Sequence, residues 1–225
     1  MQGASLKATD LACQRGERLL FRGLSLSLDS GEALRVAGAN GTGKSSLLRI
    51  IAGLLRPLVG SVAAEGAVAL IDERPALDPH LPLGKALAFW QRIDGWQNLP
   101  LDRLGLDRLD DVPVRYLSTG QKKRAALARL MGQSAPIWLL DEPLNGLDTA
   151  AVAMVEALVA EHCAGGGIAL VASHQPMTLP GERVLDLAEY LPSPSGEGSG
   201  VGAVGIGQPQ STAPTPTPPL KGRGL

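Results

Sequence analysis

The chain has 225 residues, of which 44% are hydrophobic and 19% charged, with a formal net charge of −1. That is enough apolar material for one large core, or one core with a small appendage. The near-neutral balance gives no electrostatic basis for nucleic acid as a partner.

The two cysteines, Cys13 and Cys163, show neither metal spacing nor a disulfide framework, and suit a reducing cytosol. The first residues lack the apolar segment of a signal peptide. No run reaches the ~18–20 apolar residues of a membrane span. A soluble chain is expected, with any membrane part supplied by another subunit.

Residues 5–12 and 19–28 read as strands, separated by a turn at Arg15-Gly16-Glu17-Arg18. From Leu24 to Leu28 apolar and polar residues alternate strictly, the pattern of a sheet with one wet face. A second turn, Asp29-Ser30-Gly31-Glu32, leads into a short apolar strand at 33–37. Next comes Gly38-Ala39-Asn40-Gly41-Thr42-Gly43-Lys44-Ser45, which fits G-x-x-x-x-G-K-[ST], the phosphate-binding P-loop. Ser46 opens a stretch to Leu55 with apolar residues at helical spacing.

Taken alone, these glycines could simply be a turn before an ordinary helix. Strand, Gly-rich turn and helix together make a phosphate site. Glycines let successive N–H groups point inward at an anion, and the helix N-terminus adds its own unpaired donors. Lys44 is expected to reach the β- and γ-phosphates, and the Ser45 hydroxyl to ligate Mg²⁺.

Residues 66–72 read as a buried strand. From 73 to 114, prolines at 75, 79, 82, 100 and 113 punctuate short helical pieces, such as 83–92 and 101–109. Trp90 and Trp96 read as packing residues rather than ligand platforms. A small, mainly helical subdomain is expected at about 73–130, inserted into an α/β nucleotide-binding domain of residues 1–191. Leu117-Ser118-Thr119-Gly120-Gln121 then opens a helix over 122–131. Ser118 and Gln121 have capping-box spacing, which by itself signals only a well-made helix start.

Residues 136–142, Pro-Ile-Trp-Leu-Leu-Asp-Glu, form an apolar run ending in two carboxylates, which suits a buried parallel strand. Such a strand would bring Asp141 beside Mg²⁺. Glu142 could then orient or deprotonate a water attacking the γ-phosphate. The plainer alternative is a salt-bridged strand end. A helix is expected over 149–163, with Glu156 and Glu161 on its solvated face. Another buried strand follows at 168–172, ending at Ser173-His174. A lone histidine there is commonly structural. However, the P-loop, Asp141-Glu142 and His174 all fall at strand ends, where ligands collect in open parallel sheets. From 192 to 225 the composition turns to Ser, Gly, Pro and Thr, and this tail is expected to be disordered.

The set 38–45, 117–121, 137–142, Asn145-Gly146-Leu147-Asp148 and His174, in that order, resembles the ATP-binding-cassette family over residues 5 to about 190. The resemblance implies an α/β P-loop NTPase cassette with a mixed sheet core, N-terminal antiparallel strands and a small inserted helical subdomain. It implies a head-to-tail pair of copies, with ATP between one P-loop and the other copy's Ser118-Thr119-Gly120-Gln121. In that arrangement Asp141 holds Mg²⁺, Glu142 is the base, His174 contacts the γ-phosphate and Asp148 lies in the loop touching the other site.

Within the family the likeness is to the haem-exporter ATPases of cytochrome c maturation. It is carried by Leu11-Ala12-Cys13-Gln14-Arg15-Gly16 with Leu20-Phe21, Leu48-Arg49-Ile50-Ile51-Ala52-Gly53-Leu54, Leu87-Ala88-Phe89-Trp90, residues 116–124 and His174-Gln175-Pro176. This implies integral membrane partners and a peripheral place on the cytoplasmic side of the cell inner membrane.

Two positions depart from the family pattern. An aromatic ring often stacks on adenine from the first turn, where this chain has Arg15, whose guanidinium would take that role. A Gln usually follows the strand ending near Asp72, where this chain has Glu73 or Arg74. One rival reading keeps the ATPase and changes the cargo to a drug, lipid or peptide. Another is a non-transport cassette acting on DNA or ribosomes, without support from coiled coils or a basic face. A third, a small-molecule kinase, is opposed by the 118–121 signature.

Overall fold

The computed structural model describes residues 3–72, 74–96 and 101–192. Glu73 and the stretch from 193 onward, read above as disordered, lie outside the described residues. In chain order the first half holds β1 (Ser5–Arg15), β2 (Arg18–Asp29), β3 (Ala33–Ala37), α1 (Lys44–Ile51), β4 (Val59–Glu65), β5 (Val68–Ile71) and α2 (Leu83–Asp94). The second half holds α3 (Thr119–Gly132), β6 (Ile137–Asp141), α4 (Thr149–Ala164), β7 (Ile168–Ala172) and β8 (Arg183–Asp186). Among the described residues, no helix is long and apolar enough to cross a membrane.

Two sheets form. The first is antiparallel, in the order β2-β1-β4, and the second has five parallel strands in the order β5-β6-β7-β3-β8. The alternation in β2 has the expected consequence, with Leu24, Leu26 and Leu28 buried and Ser25 and Ser27 exposed. The apolar run of β6 is buried at every position, yet its side chains still alternate. Ile137 and Leu139 join the core under α1 and the antiparallel sheet, while Trp138 and Leu140 join the core under α2, α3 and α4. A parallel strand covered on both faces shows as an unbroken hydrophobic run for this reason. Burying each such leucine stabilises by roughly 1.5–3 kcal/mol.

Two strands escaped the sequence reading. β4 is exposed along nearly all of its length, and β8 is an exposed edge strand, so neither carries hydrophobic alternation. Gly60 in β4 is required sterically. A Cβ there would lie 2.4 Å from the carbonyl oxygens of Thr9 and Asp10, where β1 bulges and Asp10 takes φ 49°.

The helix expected at 101–109 is instead a series of turns. Gly105 sits at φ +61°, which ends any helical run, and the Arg124 guanidinium donates to the Leu104 carbonyl at 2.9 Å. The buried side chains of Leu104 and Leu106 anchor this segment without regular structure. The tryptophans pack as expected. Trp90 lies under the Arg129 guanidinium, 3.5 Å from the ring centroid, and Trp96 lies so close to Gly132 that a Cβ there would clash.

One half-buried titratable group ties α4 to the sheet. His162 stacks on Trp138 with ring centroids 3.8 Å apart, and its Nε2 lies 3.2 Å from the Pro136 carbonyl oxygen. A carbonyl only accepts, so Nε2 must carry the proton. Burial pushes the His162 pKa below its ordinary value, outweighing the backbone hydrogen bonds that raise it. The unfolded chain therefore binds this proton more readily than the folded one. The stability contribution is whole above about pH 6.5, the unfolded value. It is lost as pH falls through the lower folded value. The unfolding midpoint is expected to drop between pH 7.5 and 5.5, and His162→Gln should flatten that dependence. Denaturant melts at the two pH values check it, and an equal drop in both chains would rule out His162 as the source.

Candidate functional site

The sheet order assembles the site. Val36 of β3, Ala172 of β7 and Asp141 of β6 lie in one row across the parallel sheet. The segments leaving that row are the P-loop, Ser173-His174 and Glu142. β7 stands between β6 and β3, so groups far apart in sequence emerge side by side at the carboxyl edge.

The P-loop curls between β3 and α1. Gly43 caps α1 in the left-handed region, φ 110°, and α1 starts directly at Lys44. Gly38 must be glycine, since a Cβ would come within 2.8 Å of Thr42 Oγ1. The Thr42 hydroxyl donates to the Ala39 carbonyl at 2.9 Å. Ala39, Asn40 and Gly41 are exposed, while Ser45 and Ser46 are half-buried on the first turn of α1. The Lys44 ammonium donates to the carbonyls of Gly38 at 2.8 Å and Ala39 at 3.1 Å, and lies 3.4 Å from Glu142 Oε1.

Glu142 is buried, yet opens onto a cavity of about 290 Å³ shared with Leu20, Asn40, Gly41, Gly43, Lys44, Ser45 and Ser46. Its Oε2 is 2.9 Å from His174 Nδ1. A carboxylate only accepts, so this contact fixes the proton on Nδ1. Ser173, fully buried, orients the histidine through a local turn: its hydroxyl donates to the Gln175 carbonyl and accepts the Gln175 N–H, both at 3.0 Å. Lys44, Glu142 and His174 thus form one chain of contacts. Asp141 is buried at the end of β6, one residue before the base candidate.

The signature segment stands apart from that cavity. Ser118 caps α3, with a complete capping box: the Gln121 N–H donates to Ser118 Oγ at 3.2 Å and the Ser118 N–H to Gln121 Oε1 at 2.8 Å. Ser118 and Thr119 are exposed, and Gly120 packs against the Gly146-Leu147 loop. Asp148 caps α4, accepting the Ala151 N–H at 2.8 Å. None of Ser118, Thr119, Gly120, Gln121 and Asp148 lines this chain's own P-loop cavity.

Sequence reasoning missed Leu20. It lines the cavity from β2, and it packs with Phe21 so close to Gly43 that a Cβ there would lie 3.1 Å from Phe21. Arg15, proposed above to stack on adenine, is exposed at the end of β1 and outside the cavity lining. Arg74 donates its N–H to Asp72 Oδ1 at 2.9 Å, and Asp72 pairs with Arg49. For Leu20 the one advance signal was the Leu20-Phe21 pair among the family cues.

The donors near the P-loop suit Mg²⁺. Ser45 offers a hydroxyl and Asp141 a carboxylate, both hard oxygen ligands, and Mg²⁺ takes few protein ligands, completing its shell with water and phosphate. No cluster of three or more His, Cys, Asp or Glu that would form an all-protein cage occurs among the described residues.

Comparison with known proteins agrees with this geometry. The family model described as "ABC transporter" matches residues 21–145. The cytochrome c biogenesis ATP-binding export protein CcmA of Novosphingobium aromaticivorans is 57% identical over 192 residues, 85% of this chain and 100% of that protein. CcmA of Zymomonas mobilis is 48% identical over 191 residues, 84% of this chain and 86% of that protein. Among solved structures, an ABC transporter ATP-binding protein from Pyrococcus furiosus superposes with a TM-score of 0.72 at 21% identity, over 84% of this chain and 100% of that one, a likeness of fold. The nucleotide-site geometry and these matches lead to one conclusion: the chain belongs to the ABC transporter family, as a homologue of the cytochrome c biogenesis ATP-binding export proteins.

Proposed function

We propose that the chain is the ATP-hydrolysing subunit of a membrane ABC complex serving cytochrome c biogenesis, through haem export or release of a haem-loaded chaperone. The observation that carries the ATPase reading is Glu142, buried one residue past Asp141, held between Lys44 at 3.4 Å and His174 at 2.9 Å, and opening onto the P-loop cavity. The likeness to CcmA proteins supports the pathway.

ATP is the substrate, its phosphates cradled by the N–H groups of the P-loop and the start of α1, with Lys44 on the β- and γ-phosphates. Ser45 and Asp141 would hold Mg²⁺, which would supply positive charge to neutralise the phosphate oxygens. Glu142 takes the proton of the attacking water. The Nδ1–H of His174 holds the Glu142 carboxylate in place. For His174 also to donate from Nε2 to the γ-phosphate, the ring must be the imidazolium. Leu20 supplies apolar contact at the cavity wall.

The exposed first turn of α3 serves a second copy of this chain in a head-to-tail pair. There Thr119 and Gly120 present N–H groups outside the capping box, and Asp148 stands at the facing loop. Integral membrane subunits of the cytochrome c maturation system complete the assembly at the cytoplasmic side of the cell inner membrane, and no nucleic acid is involved.

Co-purification from membranes, with identification of the partner, tests the pathway. Recovery with an exporter of another cargo would overturn it and leave the ATPase standing. Ser118→Arg tests the pairing. Losing the cap costs about 1 kcal/mol, small against the roughly 5–15 kcal/mol of a typical domain. Mg-ATP binding to the monomer should persist, while hydrolysis stops because the arginine fills the partner's phosphate position. Loss of binding in the isolated monomer would assign the segment to its own site.

A further inference from the structure

Glu142 is positioned by its backbone as well as by its side chain. Its φ is 47°, in the left-handed region that disfavours any residue with a Cβ. Contacts must hold it there. Its N–H donates to the Ala172 carbonyl at 2.8 Å, which fixes it to β7. The next peptide joins it to Pro143, and proline has no N–H. The Glu142 carbonyl is therefore the only hydrogen-bonding group of that peptide, and its donors set the peptide's orientation. One donor is the Asn145 N–H, at a long 3.4 Å. The other is the ammonium of Lys123.

Lys123 comes from α3, one turn beyond the exposed Thr119. Together with Thr119, Lys122, Asp141 and Pro143 it lines a small cavity of about 90 Å³ between α3 and the end of β6. The carboxylate of Glu142 is thus held from one side by Lys44 and His174, and its carbonyl from the other by α3.

We infer that Lys123 is a positioning residue for hydrolysis: by holding the Glu142 carbonyl it sets the peptide that carries the base, and it ties the signature helix to that base. The inference rests on the reading of Glu142 as the base. A helix moves as a rod, so a shift of α3 when its exposed turn engages a second copy displaces Lys123 and the Glu142 peptide with it. Misplacing a catalytic group by about 1 Å costs on the order of 100-fold in rate, so a carbonyl contact is enough to gate the chemistry. The scheme gives Lys123 no contact with nucleotide or with the attacking water, so its effect is expected on the rate of cleavage.

The test compares Lys123→Met, which keeps an apolar stem and removes the donor, with Lys123→Arg, which restores a cationic donor. Equilibrium Mg-ATP binding and single-turnover hydrolysis are measured on the full chain in its membrane complex, beside the unmodified chain and Glu142→Gln. Lys123→Met should slow cleavage roughly 10- to 100-fold with unchanged affinity. Lys123→Arg should recover most of the rate. Adding Lys123→Met to Glu142→Gln should slow the residual reaction no further, because both act through one group. The inference is overturned if Lys123→Met cleaves at the native rate. It is equally overturned if affinity and melting temperature fall along with the rate and arginine restores none of them. If Glu142→Gln itself cleaves at the native rate, the reading of Glu142 fails first, and the role of Lys123 falls with it.

Discussion

Glu142→Gln is expected to bind Mg-ATP with unchanged or higher affinity and to leave it uncleaved in the closed pair of subunits. Glutamine keeps the shape of the side chain and can still contact His174, but it lacks the basic oxygen. Removing a general base typically costs ~10²–10⁴-fold, and single-turnover hydrolysis should fall by that much. Binding should not fall, because the carboxylate contributes negative charge beside the phosphates, 3.4 Å from the lysine that attracts them. Asp141→Asn should behave differently and weaken the Mg²⁺ dependence of binding itself. Paired measurements of binding and single-turnover cleavage on both variants separate the two roles. Native-rate cleavage by Glu142→Gln would move water activation elsewhere, with His174 the next candidate.

Lys44→Ala should abolish tight Mg-ATP binding, and hydrolysis with it. Hydrogen bonds to charged groups contribute about 1.5–3 kcal/mol each. Losing two to the β- and γ-phosphates therefore weakens binding by roughly 100-fold or more. Lys44 also has a structural role. Its ammonium bridges the Gly38 and Ala39 carbonyls and faces Glu142, and both members of that ion pair are largely shielded from solvent. Breaking a buried pair by removing one partner is costly, about 3–5 kcal/mol, so Lys44→Ala should also melt earlier. Lys44→Ala combined with Glu142→Gln should regain part of that stability, since no carboxylate then lacks its cation. The double variant should still fail to bind nucleotide. That pattern distinguishes lost phosphate contacts from lost folding, and near-native hydrolysis by Lys44→Ala would sink the P-loop assignment.

Features set by local physics were legible before the structure. The P-loop needs a strand, closely spaced glycines and a helix start in direct succession, and residues 33–51 supply all three in order. The capping box of α3 needs only Ser118 and Gln121 at the right spacing, and both hydrogen bonds are present. The two-sided burial of β6 and β7 follows from unbroken apolar runs, and the family resemblance rested on these same local signals.

Elements that are held by distant backbone partners and have no buried face of their own were not legible. β4 and β8 are held by backbone hydrogen bonds to β1 and β3, and their exposed side chains leave no hydrophobic period to read. Residues 101–109 carry leucines at apparently helical spacing, but Gly105 at φ +61° and the Arg124 contact with Leu104 impose turns. The placement of Leu20 over Gly43 and of Lys123 on the Glu142 carbonyl depends on how a hairpin and a helix dock against the parallel sheet. Sequence by itself singled out the residues proposed for phosphate and carboxylate chemistry, because backbone propensity and spacing are local. Only the tertiary structure decided that Lys44, Glu142 and His174 meet, because that depends on β7 lying between β6 and β3, an order set by long-range packing of both sheet faces.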